Sequence, residues 1–323
     1  MYASLASLLM MAVVAATPVE MKFVQVSPTF HEADDINRSA DENRAVVLIQ
    51  GLCIHPFSST RVDQADWQGW QRSESALVKT LAKDSDMFAV CYGQNLAVEQ
   101  VAESSQLVCH LDRLKEIGYT EIVLVGHSAG GLIARHFVED HPDAGVTKVI
   151  QVCSPNGGSS WGNAELGVRQ GQESFLGSLT RQGRECCLAG RCQKKIPDNV
   201  EFVCLVGHYE LQLGVNYSFA VWRGRTVTIS VNKELRGDGI VSSERQWPPD
   251  LQQQRIPVVV LPIDHVRAVR SRVAINKIAD LIREKQPRLA ADEVEKVRLQ
   301  LFRNPTDAEV SVVLNGVSEP RSQ

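Results

Sequence analysis

The sequence predicts an α/β chain built on a mostly parallel, doubly wound sheet, with a cap or lid inserted at one rim. Three observations carry this. Short apolar, β-branched runs recur along the chain, amphipathic stretches lie between them, and residues 121–131, EIVLVGHSAGG, spell out a strand, a sharp turn and a helix start. Runs that are apolar throughout and bounded by Gly, Pro, Ser or Asp read as strands buried on both faces, the character of a parallel sheet. Alternation of such strands with helices implies right-handed crossovers, with loops gathering chemistry at the strands' carboxyl ends.

At 323 residues, 44% hydrophobic and 22% charged, the chain suits one large α/β domain with an insertion. A net charge of −4 gives no electrostatic case for nucleic acid. A small neutral or apolar substrate fits better, and no obligate protein partner is implied.

Residues 1–20 hold an uncharged run from Ala3 to Ala16, then Thr17-Pro18, with Val14-Ala15-Ala16 spaced like a signal-peptidase site. The run is shorter than the ~20 residues that span a bilayer, so a signal peptide and a secreted or periplasmic protein are expected. No Lys or Arg precedes the run, so a cytoplasmic protein starting at Met21 is the alternative. The main domain should occupy 21–290. Its first strand, Ala45–Ile49, leads into Gln50-Gly51-Leu52, and residues 74–84 put Leu77, Val78 and Leu81 on one helix face. The strand Phe88–Cys91 follows, then a helix lined by Val101, Val108, Leu111 and Leu114 that ends near Gly118. Next come the strand Ile122–Val125 with its turn and helix, and the strand Val149–Cys153. Residues 156–198, rich in Gly, Ser, Gln and Arg, break the rhythm and are expected to form the cap or lid. Strands Phe202–Val206 and Val258–Leu261 and a final helix complete the pattern; 291–323 reads as a C-terminal extension with a strand at Val310–Leu314.

The turn at Gly126-His127-Ser128-Ala129-Gly130 makes Ser128 the candidate nucleophile. A turn this tight strains its central residue and lifts the side chain off the sheet, so small residues are needed two places either side. The hydroxyl then stands at a helix amino end, where the dipole favours developing negative charge. A serine also needs a base and a group to orient it. His265, in LPIDHVRAV, is placed where a loop can return an imidazole over the nucleophile; His127 is expected to point elsewhere, and His110, His136 and His141 fall on or after helices as packing or surface residues. Asp238, in LRGDGIVS, sits in a glycine-flanked turn that can present a carboxylate, with Asp264 the rival. The backbone N–H groups of Ala129 and Leu52 are the candidate oxyanion donors. No metal or organic cofactor is required.

Of eight cysteines, Cys186, Cys187, Cys192 and Cys204 cluster, which suits disulfides in an oxidising compartment. A zinc site from CCLAGRC with Cys204 and His208 matches no common ligand spacing. Cys109 and Cys153 read as buried thiols.

Taken in order, Gln50-Gly51-Leu52, Gly126-His127-Ser128-Ala129-Gly130, Cys153-Ser154-Pro155-Asn156-Gly157-Gly158-Ser159, Gly237-Asp238-Gly239-Ile240-Val241 and Asp264-His265 resemble the α/β-hydrolase lipases and esterases, and within them the bacterial triacylglycerol lipase branch. The resemblance covers about residues 45–285. It implies an α/β-hydrolase fold and a serine hydrolase that cleaves carboxylic esters through an acyl-enzyme, with Ser128, His265 and Asp238 as the triad, an ester or lipid as substrate, and transient contact with a lipid interface. Such lipases commonly carry His-Gly where this chain has Gln50-Gly51, and lack the cysteine-rich insertion. An acyltransferase, thioesterase or amidase with the same triad, or a non-catalytic binding protein of this fold, are the alternatives.

Overall fold

The computed structural model describes residues 20–53, 61–160, 171–210, 215–221, 225–231, 236–302 and 310–315. The signal-peptide expectation for residues 1–20 therefore lies almost wholly outside the described residues. Among those described, the strands are β1 (Met21–Ser27), β2 (His31–Glu32), β3 (Arg44–Ile49), β4 (Asp86–Tyr92), β5 (Glu121–His127), β6 (Val146–Val152), β7 (Glu201–Gly207), β8 (Tyr209–Glu210), β9 (Val215–Val221), β10 (Arg225–Val231), β11 (Arg236–Gly237), β12 (Val258–Leu261) and β13 (Val310–Asn315). The α-helices are α1 (Ala76–Leu81), α2 (Val98–Ala102), α3 (Ser105–Glu116), α4 (Ala129–Asp140), α5 (Glu173–Leu179), α6 (Arg181–Gly190), α7 (Ser243–Gln246), α8 (Pro249–Gln253), α9 (Arg272–Arg283) and α10 (Ala291–Leu301).

Eight strands form one sheet in the order β12-β7-β6-β5-β3-β4-β1-β2. The run from β12 to β4 is parallel throughout, and β1 and β2 add antiparallel strands at the β4 edge. All six strands expected from β-branched runs are present, and β5, which carries the serine turn, is central. β1 was not among them. Its exposed Lys22 interrupts the apolar run, and its pairing with β4 is a long-range fact with no local signal.

Period-two alternation assigns each strand's side chains to opposite layers. In β3, Ala45, Val47 and Ile49 join a core with Leu107, Leu111, Leu132, Phe137 and Trp247 from α3, α4 and the segment after α7. Val46 and Leu48 face the other way, onto Leu77, Leu81, Ile275 and Ile278 of α1 and α9. Both faces are thus covered, which is why β3, β4, β5 and β7 are apolar along most of their length. The strand expected at 310–314 pairs with β10, which also pairs with β9, in a separate three-stranded antiparallel sheet.

The cysteine expectations need correction. All eight cysteines are free thiols, so the bridges expected among Cys186, Cys187, Cys192 and Cys204 are not formed. Cys204 is buried within β7 while Cys186 and Cys192 are exposed on and after α6, so one cluster in sequence is divided between core and surface. The same division removes the zinc reading, and His208 Nδ1 instead lies 2.8 Å from Ser243 Oγ. Cys109, expected to be buried, is exposed: Leu107, Leu111 and Leu114 form the inward face of α3. Cys153 is buried as expected.

Candidate active site

β5 ends at His127 and α4 begins at Ala129, leaving Ser128 alone in the turn with φ 55° and ψ −125°. This region is sparsely populated for a residue with a side chain, and such strain persists where the surroundings over-determine it. Here they do. Ser128 N–H donates to Val152 O at 2.9 Å. A Cβ on Gly126 would lie 2.5 Å from Gly130 O, and one on Gly130 would lie 2.2 Å from Ile49 O. The glycines either side of the serine are therefore demanded by helix-on-strand contact as well as by the turn.

His265 follows β12, and Asp238 follows β11, so two loops at the carboxyl rim meet. His265 Nδ1 lies 2.7 Å from Asp238 Oδ2, and the backbone N–H of His265 donates to Asp238 O at 2.9 Å. Asp238 is buried, and its other oxygen accepts the N–H groups of Ile240 at 2.9 Å and Val241 at 2.7 Å. A carboxylate held by three donors has little rotational freedom, so the imidazole it grips is oriented too. Asp264 points elsewhere: its Oδ1 accepts Arg267 N–H at 2.8 Å and starts the next turn.

His127 is the residue that sequence reasoning undervalued. Its Nε2 donates to His265 O at 2.9 Å, and the two rings lie 4.8 Å apart. Burial first, and then the neighbouring His265, lower its pKa to about 3, so it is neutral and can carry one proton to one carbonyl. Through His127, the loop bearing the imidazole is tied to the residue just before Ser128. Among the described residues no hydrogen bond joins Ser128 Oγ to His265. The carboxylate–imidazole contact is made, and His265 is tied to the serine turn through His127.

The loop after β3 lies against the serine: a Cβ on Gly51 would be 2.6 Å from Ser128 Cβ and 3.3 Å from its Oγ. Side-chain amides hold this loop from behind. Gln94 Nε2 donates to Gly51 O at 2.9 Å and its Oε1 accepts Cys53 N–H at 3.0 Å; Gln68 Nε2 reaches Gly51 O and Leu52 O at 3.3 Å each. Tyr92 OH donates to Gln50 O at 2.7 Å. These bonds engage the carbonyls of Gln50, Gly51 and Leu52, and Ala129 opens α4 with its N–H in the first turn, where helix amides lack intrahelical partners. Gln172, in the insertion, donates to Gln94 Oε1 at 2.9 Å, joining the insertion to this loop's support.

The Ser154–Ser159 stretch locks the Asp238 turn in place. Asn156 Nδ2 donates to Gln246 O at 2.9 Å, Gly157 N–H to Arg245 O at 2.8 Å and Ser159 Oγ to Ile240 O at 2.6 Å. Among the described residues two clusters carry metal-ligating atoms within 4.8 Å of one another: Cys153 with Asp238 and His265, and Glu99 with His136 and Cys187. In the second, Arg184 already donates to Glu99 at 2.6 Å and lies 3.1 Å from His136 Nε2, so a cation holds the acceptor positions.

No family model and no curated protein matches this chain. Solved structures do. The lipase BlEst2 of Bacillus licheniformis in mature form matches with a TM-score of 0.54 at 14% identity, over 82% of this chain and 99% of that one. Its propeptide form gives 0.55 at 14% identity, over 85% and 56%. Phospholipase PlaB of Legionella pneumophila in complex with thio-NAD gives 0.51 at 14% identity, over 80% and 62%. This chain thus spans under two thirds of the latter two, and the full mature length of the first.

Proposed function

We propose that this chain, whose α/β-hydrolase fold is that of lipases and esterases, is a serine hydrolase of carboxylic esters. The observation that carries the reading is the Asp238–His265 pair, tied through His127 to the turn that holds the strained Ser128. Ser128 Oγ attacks the ester carbonyl while His265 Nε2 takes its proton. The carbonyl π electrons move to oxygen, and the N–H groups of Leu52 and Ala129 receive the oxyanion. Collapse expels the alcohol, which leaves with the proton from His265, and water repeats the sequence to release the acid and restore the serine. Asp238 holds the imidazole with Nδ1–H toward itself and stabilises the imidazolium. Residues 156–198 act as the cap, with Gln172 joining it to the oxyanion loop. The acyl group taken is apolar, in keeping with the lipase and phospholipase neighbours, and a secreted or periplasmic setting fits.

The test is covalent labelling by a fluorophosphonate, which needs an activated serine and no knowledge of the substrate. Wild-type protein should label and Ser128→Ala should not, with p-nitrophenyl ester hydrolysis lost in parallel. Equal labelling of folded Ser128→Ala, or none of wild type, refutes the assignment.

A further inference from the structure

A cavity of about 420 Å³ is lined by none of Ser128, Asp238 and His265. Its walls come from the second half of α4, the end of α6, the segment leading into β7, the segment leading into β12, and Arg288 after α9. Those two segments enter their strands from the amino side, so the cavity opens at the opposite edge of the parallel sheet from the catalytic loops. Its volume falls in the roughly 300–1,000 Å³ range of small-molecule sites.

The lining is cationic. Arg135, Arg191, Lys194, Lys195, Arg255 and Arg288 face it, against the carboxylates of Asp198 and Asp250. Three of the six are already matched: Arg135 by Glu139 and Asp250, Arg191 by Glu139 and Asp140, and Lys194 by Asp140. The other three are not. Among the described residues Lys195 and Arg255 make no ion pair, and Arg288 has only Asp198, 3.8 Å away on a fully exposed side chain. Arg288 is nevertheless fixed, because it donates to Gln254 O at 2.9 Å and Ile196 O at 3.1 Å. Burial disfavours its charge most, the Asp198 carboxylate favours it, and the nearby Arg255 guanidinium adds a smaller like-charge repulsion. Arg255 is also one of three described non-glycine residues at positive φ, the others being Ser128 and Cys153 at the catalytic rim.

We propose that this cavity is a second site, which binds a small anion bearing two phosphates, bridged by Arg255, Arg288 and Lys195. Guanidinium forks match phosphate oxygens two at a time, and an ammonium supplies a point charge beside them. An anion there relieves the repulsion between Arg255 and Arg288 that the folded chain otherwise carries. A polyanion is a poorer fit, because the chain as a whole carries a net charge of −4 and the site is a cavity walled by five segments. The assignment is independent of the hydrolase reading, since it shares no residue with that site.

Isothermal titration of the full chain at fixed ionic strength with inorganic phosphate, pyrophosphate and adenosine diphosphate tests it. Saturable binding is expected, with pyrophosphate tighter than phosphate by about tenfold or more, and with the Lys195→Gln/Arg255→Gln double variant weaker by at least about tenfold. Both side chains are exposed, so the variant should keep the wild-type melting temperature in anion-free buffer and the wild-type ester hydrolysis. Adenosine diphosphate binding more tightly than pyrophosphate identifies an organic phosphate ester as the ligand, and equal binding identifies the diphosphate group itself. No saturable binding of any of the three, or a double variant that binds like wild type, overturns the proposal.

Discussion

Ser128 is held by its neighbours and His265 by a longer chain of contacts, and substitutions should separate the two. Gly130→Ala would drive a methyl group into Ile49 O at 2.2 Å, so the turn must shift and esterase activity should vanish even where soluble protein remains. If Asp238 orients His265 as proposed, Asp238→Asn should lower kcat by about 10³-fold or more, because the amide selects the wrong imidazole tautomer. His127→Phe keeps a ring against His265 but removes the donor to its carbonyl. The expected fall in kcat is about tenfold, equivalent to one hydrogen bond of roughly 1.4 kcal/mol, with KM little changed. An unaltered kcat in that variant would show that His265 needs no support from His127. Of these features the strained turn at Ser128 was legible, because its requirements are met within five positions. His127 was not, because a histidine beside a nucleophile gives no local sign of which ring it will meet.

At the scale of elements, α6 is bound to the body of the fold by charge. Arg184, fully buried, donates to Glu99 of α2 at 2.6 Å and to Asn156 O at 3.2 Å. Arg191 follows with Glu139 and Asp140 of α4 at 3.0 and 2.9 Å. Removing one partner of such a pair leaves a buried charge without its counter-ion, so Glu99→Ala should cost about 3–5 kcal/mol in urea denaturation. A change below about 1 kcal/mol would mean that the pair behaves like an exposed one. With α6 so fixed, residues 181–191 of the proposed cap form a wall and not a swinging lid. None of this was visible in composition: a segment rich in Gly, Gln and Arg looks like loop until its arginines find carboxylates on two other helices.

For the whole molecule, two buried histidines set a pH dependence. Burial, the largest cause in each, lowers the pKa of His127 to about 3 and that of His136 to about 4, against 6.5 for a free imidazole. Both are therefore neutral in the fold, and the unfolded chain binds more protons between pH 6.5 and 4. Their stabilisation is fully present above pH 6.5 and is lost as pH falls toward 4 and then 3. Glu139, whose carboxylate is held ionised by His136 and Arg135 against the opposing effect of burial, adds a loss of the same sign at lower pH. Melting temperature should fall steadily from pH 7 to pH 4, and a flat profile would contradict neutral burial of these rings.

The α/β architecture, the six parallel strands and the position of the strained serine were all written in the order of the residues. Each depends on periodicity or on contacts between near neighbours, and side chains a few positions apart record such requirements directly. Folding in three dimensions was needed to show that β1 joins the sheet antiparallel, that the cysteines part between core and surface, and that Asp238 grips His265 while His127 backs it. It alone assembled the cationic cavity from five segments. Those outcomes depend on which distant surfaces meet when both faces of the sheet are covered, and residues far apart in the chain carry no local mark of the partner that burial will give them.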